Sequence, residues 1–281
     1  MFPVRAELNS PPCPARSAGW SEPSPRPALV AEEVHVWLAH LPSALAELEV
    51  LRALLTPDEQ ERARRFRTEL LRERWELTRG ILRSLLADYL QAGAGEIVFQ
   101  LGPHGKPALD AYPHFFFNAS HSGDHAAFAF SRAGEVGVDI EEVRGDLRRH
   151  DVIAQRFFTP AERGELAAVP GPERVRAFFD LWTRKEAFVK ARGDGVFSGL
   201  EKFTVALGEP RVRHVTDGDA AQWWMAALPE MDGHAGAVVV QTPTCDVRFW
   251  KWPAPERAGF QSAASENSAP SRRAGSRRSK N

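Results

Sequence analysis

The sequence predicts an α+β fold with predominantly antiparallel sheets. Two observations carry that expectation. First, Leu55-Thr56-Pro57-Asp58-Glu59 and Phe158-Thr159-Pro160-Ala161-Glu162 both read as helix starts, with threonine as cap, proline at the first helical position and glutamate closing a capping box. Second, short runs rich in valine, phenylalanine and tryptophan, broken by turn residues, stand before and after the helical segments rather than alternating singly with them, the pattern of segregated helices and hairpins.

In chain order, the first strand expected is Val34-His35-Val36-Trp37-Leu38. The helix capped at Thr56 follows, then a helix bearing Trp75 and Arg72, Arg74, Arg79 and Arg83. Strands are expected over 97–101 and 115–131. Turn residues Arg132-Ala133-Gly134-Glu135 then interrupt two strand patterns and mark a junction, giving an N-terminal lobe over 34–132 and a C-terminal lobe over 133–252. The second lobe repeats the order: a strand over 136–143, the helix capped at Thr159, a helix bearing Trp182, and strands over 203–207, 223–228, 237–241 and 247–252. Each capping box precedes its tryptophan helix by about twenty residues, the trace expected of a duplication. Capping boxes are common, so coincidence competes with that explanation.

The remaining segments differ in composition. Seven of the 21 prolines fall within residues 1–27, so residues 1–33 are expected to form a disordered leader. Residues 253–281 hold six basic side chains against Glu256 and Glu266, a tail of +4 that leaves −5 for the rest of a chain of net charge −1. This tail is also expected to be unfolded, with a solvated extension and an acidic or nucleic-acid partner as its competing roles. Two cysteines, Cys13 and Cys245, make no disulfide framework, and no run approaches the roughly 18 apolar residues that span a bilayer. The expectation is a cytoplasmic protein without membrane or nucleic-acid partner.

Three segments carry candidate chemistry. Residues 182–195 read W-x-x-K-E-A-x-x-K-x-x-G-x-G, placing Glu186 and Lys190 one helical turn apart on a face shared with Trp182, before Gly193 and Gly195 end the helix. In Gly137-Val138-Asp139-Ile140-Glu141, strand alternation sends Val136, Val138 and Ile140 to one face and Asp139 and Glu141 to the other, with Cα atoms roughly 7 Å apart, close enough to share a hard cation. Phe117-Asn118-Ala119-Ser120-His121-Ser122 and Gly105-Lys106-Pro107 add polar groups at turns and strand ends.

In order and spacing these segments resemble the 4′-phosphopantetheinyl transferases of the surfactin-synthetase-activating type, over residues 34–252. The resemblance implies two similar α/β lobes related by a pseudo-twofold, with the active site in the cleft between them. It implies transfer of 4′-phosphopantetheine from coenzyme A to a serine of an apo acyl or peptidyl carrier protein, giving the holo carrier and 3′,5′-ADP. Magnesium, with manganese as substitute, is then held by Asp139, Glu141 and Glu186. Glu186 is the candidate base, directly or through water, and Lys190 stabilises charge on the leaving phosphate. Arg62, Arg74, Lys106, Ser120, His121 and Lys190 are the candidate coenzyme A contacts, with Arg74, Lys106 and His121 as the cradle of the 3′-phosphate. One departure stands out: Glu59 occupies a position where some relatives carry lysine, while Arg62 keeps a basic group nearby.

Residue by residue, blander readings compete: a solvated strand face for Asp139 and Glu141, pairing of Glu186 with Lys185 or Lys190, an exposed turn for Lys106, and backbone capping for His121. An inert module that keeps coenzyme A or carrier affinity, and a nucleic-acid protein acting through the basic tail, are the alternatives from other classes. The duplication lets one chain build a whole site between its lobes, so a monomer is expected.

Overall fold

The computed structural model describes residues 19–22, 28–145, 147–195, 199–209 and 211–252. The chain runs β1 (Glu33–His40), α1 (Leu48–Ala53), α2 (Pro57–Arg64), α3 (Glu69–Leu90), β2 (Gln100–Leu101), β3 (Pro107–Ala108), β4 (Phe116–Ser122), β5 (His125–Ser131) and β6 (Val136–Glu142). It continues through α4 (Leu147–Phe157), α5 (Pro160–Ala168), α6 (Gly171–Arg192), β7 (Phe203–Thr204), β8 (His214–Val215), β9 (Trp224–Ala227), β10 (His234–Val240) and β11 (Asp246–Lys251). Helices and mainly antiparallel sheets are therefore both present, as expected. The 115–131 run divides into the β4–β5 hairpin, and the 97–101 run is strand only at its end.

Two sheets dominate, one in the order β11-β1-β5-β4 and one in the order β6-β10-β9. Alternation along each strand dictates how they stack. Val34, Val36 and Leu38 of β1, Ala127 and Ala129 of β5, Val136, Val138 and Ile140 of β6, and Val238 and Val240 of β10 bury one another in a common core. The intervening residues face outward: Trp37, Ala39, Phe128 and Phe130 pack with Leu77, Ile81 and Leu85 of α3. Ala235, Ala237 and Val239 pack with Phe178, Leu181 and Phe188 of α6. The two sheets thus lie face to face, each with one long helix on its outer surface.

The strand at 246–251 corrects the expectation that it closes the second half. It pairs in parallel with β1, Val247 opposite Val34 and Phe249 opposite Val36, and so belongs to the sheet of the first half. The leader expectation is corrected at residues 19–22. The Ser21 N–H donates to the Phe249 carbonyl at 2.9 Å and the Lys251 N–H returns to the Ser21 carbonyl at 2.9 Å. Trp20 meets the Phe249 ring edge-on at 5.5 Å between centroids and donates its indole N–H to the Glu230 carbonyl at 3.2 Å. The rest of residues 1–27, and the tail over 253–281, lie outside the described residues.

Both capping boxes form as read, and both serve a second purpose. Glu59 accepts from the Thr56 N–H at 3.0 Å and binds the buried Arg83 of α3 at 2.6 Å. Arg83 reaches on to the Ile97 carbonyl at 3.1 Å. In the second half Glu162 accepts from the Thr159 N–H at 2.7 Å and from Lys185 of α6 at 2.8 Å. Lys185 reaches on to the Phe203 carbonyl at 3.1 Å. In each half, then, the glutamate that starts a short helix neutralises a cation buried on a 22-residue helix. An unpaired charge at such a site costs several kcal/mol, so these pairs fix each long helix against the short helix before it.

Candidate active site

Helix α6 lies unusually close to β6 because Gly137 has no side chain. A Cβ there would stand 2.0 Å from the Ala187 carbonyl oxygen and 2.4 Å from the Ala191 backbone nitrogen. Ala187 and Ala191, one turn apart, supply the small side chains for this contact. Asp139 and Glu141 share the strand face of Gly137, and they meet the α6 face that carries Glu186 and Lys190.

The Lys190 ammonium makes three hydrogen bonds, to Asp139 Oδ1 at 2.6 Å, to Ser120 Oγ at 2.8 Å and to the Val138 carbonyl at 3.3 Å, which uses all three of its donors. Ser120 in turn donates to Asp139 Oδ1 at 2.9 Å. Ser122 donates to Glu141 Oε2 at 2.9 Å. Lys190 therefore pairs with Asp139 and Lys185 with Glu162, so neither of the lysines considered for Glu186 is committed to it.

Glu186 is 7% exposed, and its pKa is raised to about 7 by burial first, then by Asp139 and Glu141, with Lys190 opposing. Glu141 is pushed up by the same two causes, burial and the charge of Asp139, and is held back by Ser122 and Lys190. Asp139 Oδ2 and Glu186 Oε1 are buried oxygens without a hydrogen-bond partner. As placed, the three carboxylates do not close into a ready ligand set of three among the described residues. Mutual repulsion and two orphaned anionic oxygens nevertheless fit a small hard cation, which takes one or two carboxylates and completes its shell with substrate phosphate and water. Asp139 and Glu186 are the residues those orphans single out.

The candidate phosphate contacts divide. His121 is exposed at the end of β4. Its pKa is lowered by partial desolvation, then by the positive charges of Lys190 and Arg74, with Asp139 opposing. Arg74 is half-buried and pairs with Asp124 in the β4–β5 turn. Arg62 instead lies over the Trp75 ring, 5.6 Å from its centroid, against α3. Lys106 binds Glu135 Oε2 at 2.6 Å, the Ala191 carbonyl at 2.7 Å and the Val136 carbonyl at 3.3 Å, so its donors join the β2–β3 hairpin to both β6 and α6. Burial lowers its pKa, and Glu135 opposes that.

Sequence reasoning missed Gly137 as a packing requirement, Ser122 as the partner of Glu141, and Asn118, whose Oδ1 accepts the Val138 N–H at 3.0 Å. The available signal was the N-x-S-x-S alternation in a strand two turns before the carboxylates.

Comparison with known proteins places the chain in a family. Residues 41–133 match the family model of the 4′-phosphopantetheinyl transferase N-terminal region, and residues 135–239 match that of the 4′-phosphopantetheinyl transferase superfamily. The 4′-phosphopantetheinyl transferase HetI of a Nostoc species is 34% identical over 238 residues, covering 83% of this chain and 98% of that protein. The 4′-phosphopantetheinyl transferase psf-1 of Bacillus pumilus is 34% identical over 208 residues, 74% of this chain and 81% of that protein. Sfp of Bacillus subtilis is 32% identical over 166 residues, 59% and 72% respectively. The chain belongs to the 4′-phosphopantetheinyl transferase superfamily and is a transferase of the holo-[acyl-carrier-protein] synthase kind.

Proposed function

We propose that the chain transfers 4′-phosphopantetheine from coenzyme A to a serine hydroxyl of an apo acyl or peptidyl carrier protein, with magnesium and with manganese as substitute. The observation that carries this is the junction of Asp139, Ser120 and Lys190 opposite a buried Glu186 of raised pKa. In the reaction the serine oxygen bonds to the phosphorus next to pantetheine, the pyrophosphate P–O bond breaks, and 3′,5′-ADP leaves with the electron pair. The serine proton passes to Glu186, directly or through one water. Lys190, with its donors on Asp139, Ser120 and Val138, would contribute its charge to the phosphate oxygens, on which negative charge is redistributed in the transition state.

When bound, a divalent ion on Asp139 and Glu186, with Glu141 alongside, supplies charge neutralisation for the phosphates. His121 and Arg74 would receive the 3′-phosphate, Arg74 sharing its guanidinium with Asp124, and Ser120 would meet the donor next to Lys190. Lys106 joins them only by giving up one of its present bonds. The similar capping-box and buried-cation pairs in the two halves support lobes related by a pseudo-twofold, with this site where they meet. Incubation with coenzyme A, magnesium and an apo carrier should add one phosphopantetheine to the carrier, read by intact mass. An unmodified carrier under conditions where the chain still binds coenzyme A would instead identify an inert binding module.

A further inference from the structure

β4 and β6 are the end strands of different sheets, and an end strand leaves a row of backbone groups to satisfy. Here that row is met by side chains. The N–H groups of Val138, Ile140 and Glu142 donate to Asn118 Oδ1 at 3.0 Å, Ser120 Oγ at 3.4 Å and Ser122 Oγ at 3.0 Å. Both strands advance by two residues per rung, so every rung uses one face of β4 and one edge of β6. On the same edge, the Val136 and Val138 carbonyls accept from Lys106 and Lys190.

The three rungs are not equivalent. Ser120 and Ser122 also bind Asp139 and Glu141, so they belong to the site itself. Asn118, 6% exposed, is tied to the site through Val138. That residue gives its N–H to Asn118 and its carbonyl to Lys190, and it precedes Asp139. The geometry points to Asn118 as a positioning residue for the transfer: by holding Val138 it sets where Asp139 and the acceptor of Lys190 stand relative to Ser120. This inference rests on the proposed transferase reaction.

The test compares Asn118→Leu, which fills similar space without an acceptor, with Asn118→Ser, which restores a hydroxyl of the kind the other two rungs use. In the leucine variant kcat should fall at least about tenfold, the usual scale for a residue that orients ligands from behind, while KM for coenzyme A stays within about threefold. Amide exchange over β6 should accelerate in the same variant, a readout independent of turnover. Asn118→Ser should recover most of both losses. A folded leucine variant with wild-type kcat, or a serine variant no better than leucine, overturns the assignment. Should leucine prevent folding, Asn118→Ala takes its place under the same criteria. A wild-type chain that modifies no carrier overturns the transferase reaction, whereas an active wild type with an equally active Asn118→Leu overturns the role of Asn118 alone.

Discussion

The ammonium of Lys190 lies 2.6 Å from Asp139 Oδ1, which joins α6 to β6 inside the site rather than at its margin. Each group is the other's main charge partner, so removing either exposes its neighbour. Asp139→Ala and Lys190→Ala should each lower kcat by about a hundredfold or more, the scale of a lost electrostatic or proton-transfer contribution. Asp139→Ala also leaves Lys190 without its anion and should cost stability. Near-normal turnover in a folded Asp139→Ala variant would remove Asp139 from the site, and full activity in chelator would remove the metal.

Glu186 allows a signed pH prediction. Its folded pKa of about 7 stands above the ordinary 4.5, so between those values the folded chain holds a proton that the unfolded chain releases. Without metal, stability should therefore fall as pH rises through that window, by on the order of 2–3 kcal/mol. Glu186→Gln abolishes the effect. Melting in chelator at pH 5 and pH 8 should show the variant gaining on wild type only at the higher pH, and an equal shift at both values would contradict the assigned burial.

Gly137→Ala forces a methyl group against backbone atoms of α6 that cannot rotate away. A cost at or above the upper end of the usual 1–3 kcal/mol for overpacking is expected, with loss of turnover as α6 is pushed from β6. Gly164→Ala is the control. Nothing lies within 4 Å of that position in α5, and alanine there should stabilise by about 0.5–1 kcal/mol.

How far the sequence revealed all this depended on the range of each interaction. The capping boxes at Thr56 and Thr159, the alternation of Val136, Val138 and Ile140, and the i, i+4 pair Glu186 and Lys190 are local, and each stands in the structure as read. The pairing of β11 with β1 is not local: Val247 and Val34 meet across the whole chain, and a strand's periodicity says which face is buried but not which strand lies beside it. Composition misjudged Trp20 and Ser21 for a related reason. A proline-rich average hides two residues whose backbone and ring find partners on β11. Lys106 was legible as a turn lysine, but its bonds to Glu135 and Ala191 depend on how the hairpin docks.

The Trp20 contacts give a direct stability test. Trp20→Ala removes an edge-to-face ring pair and a hydrogen bond to the Glu230 carbonyl. A loss of about 1–2 kcal/mol should follow, with kcat unchanged because the partners of Trp20 lie on β11 and in the β9–β10 connection rather than on β6 or α6. Equal melting temperatures for variant and wild type would show that this strand-like segment contributes nothing to the sheet.

The 3′-phosphate contacts can be separated with two donors, coenzyme A and dephospho-coenzyme A. A charge-assisted hydrogen bond contributes about 1.5–3 kcal/mol, roughly tenfold to a hundredfold in affinity, but only toward the donor that carries the phosphate. Arg74→Ala and His121→Ala should therefore shrink the preference for coenzyme A, with the smaller effect at Arg74, whose guanidinium is already paired with Asp124. Lys106→Ala should behave differently. Its ammonium already bonds Glu135, Val136 and Ala191, so its loss should lower the melting temperature and reduce turnover with both donors alike. If Lys106→Ala instead erases the discrimination between donors while the melting temperature holds, the lysine leaves Glu135 for the phosphate when coenzyme A binds, and its role is recognition. If His121→Ala loses activity equally on the two donors, the imidazole serves the pyrophosphate beside Lys190, and the 3′-phosphate must be held elsewhere.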